Sequence, residues 1–391
     1  MSPRFKLRAE HVAMAIVFFA NGFGFASWAS RVPAVRQALS LTDGQLGTAL
    51  LALGAGALIA FPLAGGAIGR LGARTLTFAL GIAYCIVLPQ PAFMTSLFAL
   101  SASLLLFGAL NGAMDVSMNA LAVKVEEHLG RPIMSGLHGM WSAGGVCGAA
   151  LGGAMAHWNI TPAVHLAVVA VVLSLALFTA RRWLPSTPVE PVEPGPRFAR
   201  PQADTLGLGA IVMCAFLIEG AMADWSAVYL HDGLGTTAAV AALGYAAFSL
   251  SMMGVRLAGD SLFSRWRASS LPRLFNASAA VAMAVALWTQ STALTLGAFV
   301  LTGVGVAAVA PLVFGAAAKR SRRGPGFGIA AMATLGYGGF LLGPPLIGWL
   351  AQMTSLRIAL LVLSALAAAI ATLTHHLDEP NTVGTLAPTA S

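Results

Sequence analysis

The chain has 391 residues, of which 58% are hydrophobic and only 9% charged, against about 25% charged in ordinary soluble domains. So little polar surface requires lipid as the solvent, which excludes a soluble globular protein, a disordered chain and a disulfide scaffold. The formal charge of +8 lies in short basic clusters between apolar runs, so no nucleic-acid partner is expected.

In chain order the apolar runs fall at 11–33, 45–69, 75–94, 97–123, 132–156, 161–180, 205–230, 238–262, 271–289, 292–318, 326–352 and 355–374. Each is close to the ~20 residues that one helical crossing needs. All are rich in Gly and Ala, which let helices approach closely in lipid. The strict ten-residue alternation of membrane β-strands is missing. The expected fold class is an all-α membrane protein with twelve transmembrane helices in two pseudo-symmetric six-helix bundles. Asn21 and Trp28 interrupt the first run, which reads as a span and not as a cleavable leader.

Between the sixth and seventh runs stand Pro185, Pro188, Pro191, Pro194, Pro196 and Pro201, with Glu190 and Glu193. Such a segment is a stiff, solvated linker. The expected organisation is a six-helix bundle over 1–184, a Pro-rich linker over 185–204, a second six-helix bundle over 205–376 and a disordered tail over 377–391. At an offset of 195, Gly144, Gly148 and Gly153 match Gly339, Gly343 and Gly348, and Arg70 matches Arg265. These matches point to an internal duplication. Two six-helix halves around a midplane site form a secondary-transporter plan.

Eighteen of the 22 basic residues fall in the termini and loops on one side of the twelve spans. Arg31, Arg36 and Arg357 fall on the other, and Arg256 lies inside a span. The positive-inside rule then places both termini in the cytoplasm of a multi-pass protein in a bacterial-type inner membrane. Cys85, Cys147 and Cys214 lie in apolar stretches without ligand spacing and read as packing residues. No metal site and no cofactor are expected. No GxxxxGK[ST] motif occurs, so the energy source is a gradient.

The loop Gly65-Gly66-Ala67-Ile68-Gly69-Arg70-Leu71-Gly72-Ala73-Arg74 resembles the signature of the major facilitator superfamily between spans 2 and 3, with Gly69 where that signature has Asp. Further stretches resemble the fucose-permease-like branch and its YbjJ-type inner-membrane proteins. They are Ala26 to Pro33, Asp115 to Asn119, His138 to Ser142, Glu219-Gly220 through Asp224-Trp225, and Gly343-Pro344-Pro345. Asp115 and Asn119 reproduce that branch's span-4 carboxylate followed four residues later by Asn, with Asp where Glu is usual. The branch's span-1 carboxylate has no counterpart in 11–33. Proton-coupled sugar symport is what the resemblance implies.

An acid at bilayer depth costs roughly 2.5–3.5 kcal/mol on insertion scales, so each one needs a reason. Asp115 and Glu219 are the expected proton-coupling groups. Asn119 shares a helix face with Asp115, and His138 lies at similar depth in span 5. Both are expected partners of Asp115. Asn21, Asn119, His138, Trp141, Asn276 and Tyr337 are the expected substrate-binding residues. Trp28 and Trp225 lie near span ends, where interface anchors are common. Asp224 lies about 7.5 Å beyond Glu219 along span 7 and about 140° around it. With Arg31 at the end of span 1, it is the expected periplasmic gate pair. Arg256 and Asp260, at i and i+4, are an expected structural pair.

The reading is a secondary active transporter and not an enzyme, with no catalytic residues. It is expected to move a small polar organic solute, sugar-like or a related metabolite, by alternating access and proton-coupled symport. The partners are that solute, protons and the bilayer, and the protein is expected to be a monomer. The alternatives are proton-driven efflux of drugs or metabolites and, behind it, a non-transporting membrane receptor.

Overall fold

The computed structural model describes residues 3–130, 133–185, 205–263, 266–322 and 325–378, with the side chains of 3–6, 135, 259–263 and 325–326 outside that set. The expected linker residues 186–204 and tail residues 379–391 lie outside the described residues.

The described residues form fourteen α-helices. In chain order they are α1 (Pro3–Ala29), α2 (Val32–Ala38), α3 (Asp43–Leu71), α4 (Ala73–Val87), α5 (Leu97–Leu129), α6 (Met134–His157) and α7 (Pro162–Arg181). There follow α8 (Leu206–Val228), α9 (Ala238–Phe263), α10 (Ser270–Thr289), α11 (Thr292–Val306), α12 (Val309–Arg320), α13 (Pro325–Met353) and α14 (Leu356–Leu373). Among the described residues, eleven helical segments are long and apolar enough to cross a membrane. The expected fifth span is α6, which is not among the eleven. Seven of its 24 residues are glycine, a composition that serves close packing more than hydropathy.

Lipid accounts for helices that are apolar all round. On α7, Leu166, Val169, Leu173 and Leu177 are buried, while Val168, Val171, Val172 and Leu175 are exposed at helical spacing. A soluble protein cannot leave such a stripe in water, so it faces acyl chains. Helix starts are set by side-chain caps. Thr42 and Gln45 form a capping box at α3, and Ser96, Thr161, Ser291 and Ser355 cap α5, α7, α11 and α14. Each cap satisfies amide groups that have no partner inside the helix.

Two expected spans are interrupted. Span 1 stops at Ala29, and Pro33 starts the short α2. Span 10 divides into α11 and α12 around Ala307-Ala308. Pro311 is the cause, because it has no N–H to donate to the carbonyl of Ala307 and disfavours helical backbone before it. Cys85 and Cys214 are buried, whereas Cys147 turns outward.

Helices α1 and α3 to α7 pack on one another, as do α8 to α14, and the two halves meet along α6 with α9 and along α3 with α13. Glycine makes the close crossings. A Cβ on Gly144 or Gly148 of α6 would lie 2.2 and 2.3 Å from the carbonyl oxygens of Phe19 and Phe23 on α1. A Cβ on Gly339 or Gly343 of α13 would lie 2.3 and 2.7 Å from those of Met213 and Leu217 on α8. The repeat seen in the sequence is thus one helix crossing built twice. The loops at one end of the bundle carry Arg36, Asp43 and Asp232 (the Arg36 end). The other end carries Arg70, Arg74, Arg181, Arg267 and Arg320 (the arginine-rich end).

Candidate functional site

Polar side chains gather at mid-length between the halves, starting from α5. Asn111, Asp115 and Asn119 follow one another at steps of four and share a face. Asn119 Nδ2 donates to Asp115 Oδ1 at 3.1 Å and to the Asp115 carbonyl at 2.8 Å. Asp115 Oδ2 accepts from Tyr337 Oη at 3.2 Å. Tyr337 belongs to α13, so this carboxylate is held from both halves. The Tyr337 ring lies 4.3 Å from the Phe61 ring of α3 and 5.9 Å from the Phe216 ring of α8.

A second group is centred on Asn21 of α1. Its Nδ2 donates to Asn111 Oδ1 at 3.0 Å, and its Oδ1 accepts from Trp141 Nε1 at 2.8 Å. Tyr84 Oη donates to the Asn21 carbonyl at 3.1 Å. Trp141 also lies 6.5 Å from Phe25, which is 6.5 Å from Tyr245 of α9. The third group crosses the halves again. Arg256 Nη2 of α9 pairs with Glu219 Oε1 of α8 at 3.8 Å, and Arg256 Nη1 donates to Ser142 Oγ of α6 at 3.2 Å. A continuous set of carboxylate, amide, phenol and indole groups therefore lines the junction. Among the described residues no group of three or more His, Cys, Asp and Glu could hold a metal.

The Major Facilitator Superfamily pattern matches residues 14–337. The chain belongs to the major facilitator superfamily. An uncharacterized transporter of Sinorhizobium fredii is 38% identical over 370 residues, covering 94% of this chain and 97% of the relative. The membrane protein MosC of Rhizobium meliloti is 33% identical over 367 residues, covering 92% and 88%. The nucleoside transporter NupG shares the fold with a TM-score of 0.70 at 16% identity, over 94% of this chain and 98% of that one. A D-xylose-proton symporter does so with a TM-score of 0.68 at 14% identity, over 95% and 97%.

This facilitator-superfamily chain is a multi-pass secondary transporter, and it is not an enzyme. The structure brings together Asn21, Asp115, Asn119, Trp141, Glu219, Arg256 and Tyr337, and it separates others. His138 is packed edge-on against Phe18, with ring centroids 5.4 Å apart. Among the described residues it makes no hydrogen bond to Asp115, whose second oxygen Tyr337 occupies. Asn276 is fully buried, and its Nδ2 donates to Pro272 O at 2.9 Å and Gly305 O at 2.7 Å. It therefore joins α10 to α11. Asn276→Ala is expected to lower stability by about 1–3 kcal/mol, the cost of an unsatisfied buried carbonyl. A detergent melt would show this loss, with KM for the transported solute unchanged.

The expected Arg31–Asp224 gate pair is not formed. Arg31 donates to the carbonyl oxygens of Gly152 and Ile160, at the end of α6 in its own half. Asp224 is buried, and its Oδ1 has no hydrogen-bond partner among the described residues. Trp28 and Trp225 are 1% and 0% exposed, so neither is an interface anchor. Trp225 Nε1 donates to Pro344 O at 3.0 Å and ties α8 to α13. Asp260 has its side chain outside the described residues. Asn111, Phe61, Phe216 and Tyr245 are not among the residues that the sequence marks, and Ser142 is marked only as the end of the His138 to Ser142 stretch. Asn111 carries a signal of its own, the same four-residue step that marks Asn119.

Proposed function

We propose that this transporter is a proton-coupled symporter of a small polar organic solute, sugar-like or a related metabolite. The observation that carries the reading is Asp115, bonded by Asn119 in its own half and by Tyr337 in the other. A proton on Oδ2 would turn the charge-assisted bond accepted from Tyr337 into a weaker neutral one that Oδ2 donates. Proton occupancy would thus bias the contact between halves, which is what coupling to alternating access requires. Glu219 is the second coupling group, tied through Arg256 to Ser142 across the same junction.

Asn21, Asn111, Asn119, Trp141 and Tyr337 supply the hydrogen bonds and ring surfaces that a hydroxylated solute would meet. The fucose-permease-like stretches and the fold shared with a D-xylose-proton symporter support this class. The arginine-rich end is taken as cytoplasmic by the positive-inside rule, which makes the Arg36 end the outer side of the inner membrane.

The test is flux into proteoliposomes containing the full chain, with sugars, sugar acids, amino acids and drugs offered in turn. Under an inward proton gradient one sugar-like solute should accumulate, and collapsing the gradient should abolish accumulation. Flux indifferent to the gradient would overturn the coupling. Drug extrusion against a gradient would replace symport with efflux.

A further inference from the structure

At the Arg36 end one guanidinium touches both halves. Arg36, in the last turn of α2, places Nη2 2.8 Å from Asp43 Oδ1 at the start of α3. Its Nη1 lies 2.8 Å from Asp232 Oδ2, in the turn of Tyr229–Gly233 that closes α8. Its Nε donates to the Leu41 carbonyl at 3.2 Å. The other oxygen of Asp232 lies 2.6 Å from His231 Nδ1. Two neutral bonds join the halves beside this cluster. Gly44 N donates to Gln352 Oε1 at 3.3 Å, and Trp349 Nε1 donates to Thr48 Oγ1 at 3.2 Å.

The partners of Arg36 differ in what they ride on. Asp43 and Leu41 belong to the same half as Arg36 and are at most seven residues away, so they move with it. Asp232 belongs to the other half. Opening this end must therefore break the bond to Asp232, and it leaves the bonds to Asp43 and Leu41 intact. Arginine suits this task because its planar fork presents separate N–H groups to two carboxylates at once.

We propose that Arg36 is the latch of the transport cycle at this end. Asp232 is its catch, and Asp43 is a positioning residue that keeps the guanidinium aimed while the end is open. Among the described residues, hydrogen bonds at the arginine-rich end include ones that stay within a half. Arg74 Nη2 donates to the Arg181 carbonyl inside the first half, and Ser269 and Arg320 hold Asp378 inside the second. These contacts stiffen each half, whereas the Arg36 cluster ties the two halves together.

The test reads opening directly and needs neither a substrate nor proton coupling. Spin labels on exposed Gln37 and Thr237, one in each half, report the distance across the Arg36 end in the full-length protein in lipid. A dominant short distance is expected. Asp232→Asn should enlarge the longer-distance population about 2- to 5-fold, the range that a partly exposed ion pair supports. Asp43→Asn should enlarge it less. Arg36→Asp combined with Asp232→Arg should restore the short distance, because Arg at 232 would face Asp at both 36 and 43.

Raising ionic strength on the otherwise unaltered labelled protein should lengthen the distance, since salt screens charges at this exposure. That arm needs no latch variant to fold. Distance distributions that neither Asp232→Asn nor salt changes would overturn the latch. So would a charge exchange that opens the end as far as the single variants do.

Discussion

Asp115→Asn should abolish proton-driven accumulation while leaving solute counterflow within a few-fold of the original protein. Asn is nearly isosteric with Asp, so the α5 face need not repack. Its Oδ1 can still accept from Asn119, and its Nδ2 can donate to Tyr337 Oη where Asp115 Oδ2 now accepts. The amide cannot take up or release a proton at physiological pH, so the binding site survives and the coupling does not. Tyr337→Phe separates the two further. It keeps the ring packing on Phe61 and Phe216 and deletes one hydrogen bond to a charged group, worth about 1.5–3 kcal/mol. That corresponds to roughly a 10- to 100-fold change in the balance between states, while protonation of Asp115 remains available. Uptake and counterflow measured side by side in proteoliposomes decide the matter. Proton-driven accumulation retained by Asp115→Asn would remove Asp115 from the coupling role.

How far the sequence reaches is clear from particular residues. The spans were legible because hydropathy sums over ~20 residues and tolerates local error. Glu219 and Asp115 were legible because a carboxylate inside a span is costly and rare. Depth along the membrane normal was also readable, and it misled where direction mattered. Arg31 and Asp224 lie at compatible depth, yet Arg31 leaves the end of α1 towards α6. His138 has the depth of Asp115 but turns to Phe18. A helix position sets height and relative angle along its own axis, and the rotation of that helix in the bundle is set by tertiary packing.

The same gap explains Asn21 with Asn111, 90 residues apart, and Asp115 with Tyr337, 222 apart. No local pattern connects them. Height alone suggests anchors at Trp28 and Trp225, and burial by neighbouring helices makes them core residues instead. The break at Ala307-Ala308 was in principle readable from Pro311, which the continuous apolar run concealed. Arg36 and Asp232 both lie outside the apolar runs, where charge carries no insertion cost to mark it, so no local pattern signals the ion pair between the halves.

Glycines should divide into two classes with separable phenotypes. Gly144→Val and Gly339→Val are expected to cost about 3 kcal/mol or more and to remove most of the folded protein. Each new Cβ would sit at 2.2 or 2.3 Å from a backbone carbonyl of the crossing helix. That carbonyl is tied into its own helix ladder and cannot swing aside as a side chain could, so the crossing must widen or fail. Because the crossings are equivalent, α6 on α1 and α13 on α8, the two variants should lose stability alike in a detergent melt and in size-exclusion profiles.

Gly65→Ala is the control. A Cβ there meets nothing within 4 Å, and alanine is about 1 kcal/mol better than glycine inside a helix. Gly47 and Gly153 belong to the second class. The nearest atoms to their added Cβ atoms belong to the other half, Gly348 and Pro345 on α13 at 3.0 and 3.4 Å, and Ala239 and Ala242 on α9 at 3.1 Å. Valine at either position should leave each half folded and wedge the seam between them, so the melt is preserved while transport falls and the Arg36 end is held open. If Gly144→Val kept a normal melt, or Gly47→Val lost the fold, close packing within the halves would not be what separates folding from gating.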